Sequence, residues 1–367
     1  MPEEKGGPKE DKDLGPGGPK EDKDLGPRGP RPHLFSVFAT FATGGPQTRF
    51  CALANALGTR VRHTILAMDG KTTARERLSP TLDVRFEEKP YSMRATLRQL
   101  QPDTLLTHNW GSIEWSLANH FPHVRHVHAE DGFGPEERER QLLRRVWMRR
   151  LVLRQATLLV PSETLARIAR TQWRLRPVLV PNGIDLARFH PGTPPARERL
   201  RIGTVAALRP EKNLRRLIDA MALLPRAELA IAGGGPEEAG LRAHAAAHGV
   251  AVEFAGPLAD PAAFYRGLDI FALSSDTEQM PISLLEAMAS GLPVAATDVG
   301  DVAVMVAEEN RGLVVPKEAA ALAAALGRLC GDTALRRVVG TANRVRAEAV
   351  YDERRMFARW AALLGLS

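Results

Sequence analysis

Two glutamates, Glu278 and Glu286, stand eight positions apart in the run Ser274-Ser-Asp-Thr-Glu278-Gln-Met-Pro-Ile-Ser-Leu-Leu-Glu286-Ala-Met-Ala-Ser-Gly291. The apolar stretch Asp269-Ile-Phe-Ala-Leu-Ser274 enters this run as a strand. Pro281 suits the first turn of a helix, and Gly291 suits its end. Glu278 therefore falls in a loop, and Glu286 lies about two turns deeper on the helix. Carboxylates so placed can accept hydrogen bonds from hydroxyls on either side of a diphosphate. A helix that starts just after a strand also offers free N–H groups to an anion. Two glutamates at this spacing are in themselves ordinary cap and helix residues. The strand, loop and helix around them give the spacing its meaning.

A second group of charges lies in Gly203-Thr-Val-Ala-Ala-Leu-Arg209-Pro-Glu-Lys212-Asn-Leu. Arg209 and Lys212 flank Pro210 where a strand gives way to a helix. Three apart at a helix start, their side chains can reach one point. Two cations there would neutralise a departing diphosphate. The plain alternative is a pair of solvated surface charges.

Arg125-His126-Val-His128-Ala-Glu130-Asp131 forms a third cluster. Alternate residues of a strand share a face, so His126 and His128 point the same way. His128 sits at the carboxyl end of the strand. Glu130 or Asp131 could bind a hydroxyl or act as a base. Two histidines and two acids could also ligate zinc, but strand neighbours need further ligands from elsewhere, and no metal is expected. His108-Asn109-Trp110-Gly-Ser-Ile-Glu-Trp115 follows another strand end. Asn109 and Trp110 suit the edge of a sugar or lipid site. Equally, Asn109 caps the next helix and Trp115 packs in the core.

These groups need a frame to bring them together. His33 to Thr40 reads as a buried strand, Gly44-Gly45-Pro-Gln-Thr-Arg49 as a glycine turn, and 50–57 as a helix. This is the opening unit of a doubly wound domain. Strands are expected at 61–68, 84–86, 104–108, 124–128 and 157–161. Helices are expected at 92–100, 136–154 and 162–171. A proline-rich linker near 190–200 precedes a second series of strands at 201–207, 229–232, 252–255, 270–273, 293–297 and 312–315. Alternating strands and helices argue for parallel sheets. Ligands of such sheets bind at the carboxyl ends of the strands.

The Glu278 to Glu286 run, followed by the strand Pro293-Val-Ala-Ala-Thr, resembles the E-x7-E signature of retaining family 4 glycosyltransferases of the bacterial cell-envelope and exopolysaccharide type. The resemblance implies an α/β GT-B fold, with two Rossmann-like domains whose parallel sheets face each other across a cleft. Residues 33–190 would form the acceptor domain and 200–350 the nucleotide-sugar domain, with the helix in 351–367 returning to the first. It places Arg209 and Lys212 on the donor diphosphate, Glu278 on the sugar and Glu286 on the ribose. Gln279, Met280, Pro281 and Ile282 would line the donor. The turn of Gly233 and Gly235 would lie beside the nucleotide, and Gly256 near the base. Gly45 and Arg49 belong to the glycine loop that approaches donor and acceptor. His128 would face the donor sugar, with Asn109, Trp110, Glu130 and Asp131 on the acceptor side. Where the family has glycine after the first glutamate, this chain has Gln279.

The implied reaction is metal-independent and cofactor-free transfer with retention. A UDP-sugar is the favoured donor, GDP-mannose the second, and the acceptor is lipid-linked or a growing envelope glycan. A nucleotide-sugar epimerase and a non-catalytic binding scaffold are the alternatives.

The rest of the sequence bounds this reading. Its 367 residues suffice for two cored domains. Two distant cysteines, Cys51 and Cys330, give no disulfide framework and fit a reducing cytoplasm. A net charge of +7 favours an acidic partner. Sparse aromatics and the lack of a nucleic-acid-binding motif argue against nucleic acid. In the helix 136–155, Arg138, Arg145 and Arg149 share one face while Arg144, Arg150 and Arg154 surround Trp147 and Leu151, and these arginines with Trp147 point to peripheral contact with an anionic membrane on its inner face. Residues 1–32 hold a charged Gly/Pro repeat, Gly6 to Pro16 and again Gly17 to Pro27, expected to be a disordered arm.

Overall fold

A computed structural model describes residues 31–367 apart from 122, 138, 139, 194–196, 225 and 367. The repeat of the amino-terminal arm and Arg138 lie outside the described residues. Residues Pro32–Ser367 form one compact unit built on two parallel sheets.

The first sheet has seven strands: β1 His33–Phe38, β2 Arg62–Ala67, β3 Asp83–Glu87, β4 Thr104–His108, β5 Arg125–Ala129, β6 Thr157–Val160 and β7 Val178–Leu179. Their order is β3-β2-β1-β4-β5-β6-β7. The second has six: β8 Leu200–Val205, β9 Ala227–Ala232, β10 Val252–Gly256, β11 Ile270–Leu273, β12 Val294–Thr297 and β13 Val314–Val315. Their order is β10-β9-β8-β11-β12-β13. In each sheet the order reverses beside the first strand, β1 or β8, which leaves a crevice at the carboxyl edge. The central strands are buried on both faces because helices cover both, and they are accordingly near-continuous apolar runs.

The last helix, Glu353–Leu364, joins the core of the first sheet through Met356, Trp360 and Leu364. Ile184 anchors its start: the Ile184 N–H donates to the Tyr351 carbonyl at 2.7 Å, and the Glu353 N–H donates to the Ile184 carbonyl at 3.1 Å. Gly183 is required there, since a Cβ would stand 2.4 Å from the Glu353 Cα.

Three boundaries differ from the sequence reading. The first helix begins at Gly45, so that glycine lies in its first turn rather than ahead of it. The expected helix 136–154 is a short turn, Pro135–Glu137, then a helix only over Leu143–Val152. The cause is Glu137, whose carboxylate turns inward to accept from the Leu142 N–H at 3.2 Å and from Arg149. The segment 308–313 is a 3₁₀ helix, which shortens the expected strand 312–315 to Val314–Val315.

Candidate active site

The carboxyl ends of β8 and β11 are stitched together. Asn213 adopts a left-handed conformation (φ 41°) and caps the helix Leu214–Ala222 by accepting from the Arg216 N–H at 3.2 Å. The bend turns the Arg209–Lys212 segment toward the loop after β11. The Asp276 N–H donates to the Glu211 carbonyl at 2.9 Å, and Ser274 Oγ donates to the Lys212 carbonyl at 3.0 Å. Lys212 Nζ then lies 2.5 Å from Glu278 Oε1, which also accepts from Ser275 Oγ at 2.8 Å. Arg209 has no side-chain partner among the described residues and faces the same space.

That space is a cleft of about 440 Å³. One wall carries Arg209, Lys212, Thr277, Glu278, Gln279, Met280 and Ile282. The other carries Gly45, Pro46, Arg49, the loop Asp131–Gly134, Pro161 and Asn182. Arg49 grips Asp131 with two parallel bonds of 2.6 and 2.9 Å, and donates to Asn182 Oδ1 at 2.7 Å. Its guanidinium also lies 5.1 Å above the Trp360 ring. The cation is therefore held rigidly and largely neutralised. The helix Ile282–Ala289 aims its amino terminus into the cleft, where the helix dipole favours negative charge.

Glu286 lies a turn deeper than Ile282 and outside the lining of the cleft. Its Oε2 accepts from the Tyr265 hydroxyl at 2.7 Å. Burial pushes its carboxyl up to about 7, and the Tyr265 bond offsets only part of that rise.

Several expected site residues stand elsewhere. His128 is fully buried: its Nδ1 lies 2.7 Å from Thr107 Oγ1, and its Nε2 faces Glu130 at 3.6 Å. Glu130 is buried too and pairs with Arg149 at 3.1 Å. Trp110 packs against the guanidiniums of Arg145 and Arg149. None of the three lines the cleft, and Glu130 and Trp110 are drawn to Arg149, because a buried guanidinium needs carboxylates and rings around it. Arg149 has Glu130 and Glu137 as partners, with Trp110, Phe133 and Trp173 at 5.0 to 5.4 Å. His128, Glu130 and Trp110 thus support the wall without lining it. Asn109 does the same, accepting from the Asp131 N–H at 2.7 Å.

Gly233, Gly235 and Gly256 also miss the cleft lining. Gly233 and Gly235 are required by packing: a Cβ would lie 1.8 Å from the Ala206 carbonyl oxygen or 2.5 Å from that of Leu208. They hold the loop that leads to Arg209. Pro281 caps the helix whose first residue, Ile282, reaches the cleft.

The structure adds residues that the sequence reading passed over. Asn182 bridges the walls, accepting from Arg49 and donating to the Met280 carbonyl at 3.3 Å. Its signal is the turn Pro181-Asn-Gly183 after a strand. Gly300 lets the next loop press on the signature, since a Cβ there would stand 2.3 Å from the Glu278 carbonyl oxygen. Ser162 caps the helix Glu163–Ile168 of the opposite half, and Asp301 adds to it by accepting from the Glu163 and Thr164 N–H groups at 2.5 and 3.0 Å. No local pattern reveals an acceptor supplied from so far along the chain.

The helix Leu143–Val152 lies behind this wall. Leu143, Trp147 and Leu151 form an exposed apolar line, 65%, 62% and 63% accessible, on successive turns. Arg145 and Arg149, expected to carry a basic face, instead turn inward to Glu136, Glu137 and Glu130.

Comparison with known proteins adds to this geometry. The family described as "Glycosyl transferases group 1" matches residues 188–346, and "Glycosyltransferase Family 4" matches residues 43–188. A D-inositol 3-phosphate glycosyltransferase of Corynebacterium urealyticum is 28% identical over 66% of this chain and 66% of its own length. One from Jonesia denitrificans is 31% identical over 64% of this chain and 65% of its own. The chain thus spans just under two thirds of the length of these curated relatives. Among solved structures, the HepE protein of Anabaena in complex with UDP superposes with a TM-score of 0.78 at 18% identity, covering 91% of this chain and 99% of the other. The sucrose-phosphate synthase of Thermosynechococcus elongatus gives a TM-score of 0.75 at 20% identity, covering 91% and 98%.

Proposed function

We propose a reaction from one premise: the chain belongs to the family 4 glycosyltransferases with the GT-B fold. It moves a sugar from a nucleotide-diphosphate sugar to a hydroxyl acceptor with retention at the anomeric carbon. The observation that carries this reading is the convergence of Arg209, Lys212, Glu278 and the start of the helix Ile282–Ala289 on one cleft.

Bond cleavage leaves positive charge on the sugar and negative charge on the diphosphate. Arg209, Lys212 and the helix N–H groups face the place where that negative charge grows, and preorganised donors act most strongly there. No metal is needed for this step. Glu278 accepts from the sugar hydroxyls while Lys212 holds its carboxylate in place. Glu286 serves the ribose. On the opposite wall, Asp131 and Arg49 bound the acceptor.

A UDP-sugar is the first donor to test, in keeping with the UDP in the HepE complex, and GDP-mannose is the second. Screening nucleotide sugars by thermal shift selects the donor, since a ligand that binds only the folded chain raises its melting temperature. A scaffold without activity would bind nucleotide but release no product.

The acceptor we propose is lipid-linked or an envelope glycan, reached from an anionic membrane surface. The apolar line of Leu143, Trp147 and Leu151 supports this, with Arg144, Arg150 and Arg154 around it. Such a helix lies in the interface plane. Among the described residues no helix is long and apolar enough to cross a membrane.

A further inference from the structure

On the helices that flank the second sheet, Asp219, His244 and His248 each bring one ligand atom within 4.8 Å of the others. None of the three lines the cleft. Asp219 belongs to the helix Leu214–Ala222. His244 lies on the helix Glu238–Ala247, and His248 is the residue that ends it. One helical turn places the two imidazoles side by side, with centroids 4.2 Å apart. His244 Nε2 is 2.6 Å from Asp219 Oδ1, and His248 Nε2 is 3.8 Å from the same oxygen.

We propose that this triad binds a divalent transition-metal cation of the zinc class, which clips the two helices together and leaves its fourth position to water. The distances carry the inference first. Tetrahedral zinc holds nitrogen and oxygen ligands at about 2.0–2.2 Å, so neighbouring ligand atoms sit roughly 3.3 Å apart. The observed 2.6 and 3.8 Å straddle that value, and small side-chain rotations close the difference.

The proton positions carry it second. His248 Nδ1 lies 2.9 Å from the His244 carbonyl oxygen. An N–H donated there leaves Nε2 with its lone pair free, the outer bond that ligating imidazoles use. The helix carbonyls end beside His248, and their partial negative charge favours a cation. Arg215 opposes it, with Nη1 3.5 Å from His244 Nδ1, but its side chain is exposed and free to swing away. Two imidazoles and one carboxylate select zinc, nickel or copper over magnesium or calcium.

The ordinary competitor is a plain Asp219–His244 hydrogen bond with no ion. Untagged protein, freed of metal with a chelator, is titrated with ZnCl₂ and separately with MgCl₂, by calorimetry and by thermal melting. The expected result is one zinc per chain, a melting temperature that climbs with zinc, and no response to magnesium. His248→Ala, at an exposed position whose Nε2 stands 3.8 Å from Asp219 Oδ1, beyond hydrogen-bond reach, is expected to weaken zinc at least ~10-fold while the metal-free melting temperature changes little. The double variant His244→Ala/His248→Ala abolishes the response. Absence of a zinc response in the wild type leaves only the hydrogen bond and overturns the proposal. Undiminished zinc binding in the double variant places the ion elsewhere and overturns it equally.

Discussion

Lys212 Nζ and Glu278 Oε1 lie 2.5 Å apart across two loops that come from different strands of the second sheet. The pair is partly open to the cleft, with side-chain exposures of 23% and 11%. In the proposed reaction it keeps two opposite charges aligned, one toward a phosphate and the other toward a sugar. Lys212→Ala is expected to lower the transfer rate on the order of 100-fold or more. The two residues act as a unit, so Lys212→Ala/Glu278→Ala should cost much less than the sum of the single losses. Steady-state kinetics of the three variants decides this, with circular dichroism to confirm the fold. Additive losses would mean that the pair is incidental.

Glu286 supplies the pH dependence. Burial raises its carboxyl from the ordinary range to about 7, so it is largely protonated at pH 6 and ionised at pH 8. The ionised form accepts two hydroxyl bonds, whereas the protonated form spends one oxygen as a donor. Donor affinity should therefore strengthen as pH rises through about 7, and at most tenfold per unit below that point. Calorimetric titration from pH 6 to 8 tests the slope. Glu286→Gln should flatten it, and a slope retained in that variant would assign it to another group.

Much of this site was legible in the sequence. Glu278, Lys212 and Arg209 sit at strand ends whose apolar runs and following helices are plain in the residue pattern, and they meet in one cleft. The errors fell where burial decides. His128, Glu130 and Trp110 have the chemistry of a sugar site and lie at the right strand ends. Arg149, nineteen residues past Glu130, enters the core and draws Glu130 and Trp110 to itself, while His128 is held inside by Thr107 and faces Glu130. A helix arginine gives no sign of its side in a pattern where apolar and basic residues interleave. The same ambiguity places Arg145 and Arg149 on the outer face, whereas both turn toward carboxylates and Leu143, Trp147 and Leu151 are exposed.

Asp301 ties one half of the cleft to the other by accepting from the first two N–H groups of the helix Glu163–Ile168. Losing hydrogen bonds to a charged group costs about 1.5–3 kcal/mol. Asp301→Ala is expected to lower stability by that amount and to favour an open cleft. Small-angle scattering should show a larger radius of gyration in the variant, with the difference shrinking when donor is added. Identical scattering with and without the carboxylate would show that Asp301 has no hold on closure.

The membrane surface is tested at Trp147. Trp147→Ala should reduce co-sedimentation with anionic vesicles several-fold, through loss of buried apolar area. Reversing Arg144 and Arg150 to Glu should weaken it further at low salt and little at high salt, because these attractions are screened. Binding that ignores both changes would move the contact to another face.

The central claim is retaining transfer driven by Arg209, Lys212 and the helix start, without a metal. The most direct measurement incubates the chain with its thermal-shift-selected donor and an acceptor in excess EDTA. Released nucleoside diphosphate is followed, and the anomeric configuration of the product is read by NMR. Release is expected to depend on acceptor, to survive EDTA and to give a product with the donor's own anomeric configuration. An inverted product, release indifferent to acceptor, or activity restored only by a divalent ion would contradict it.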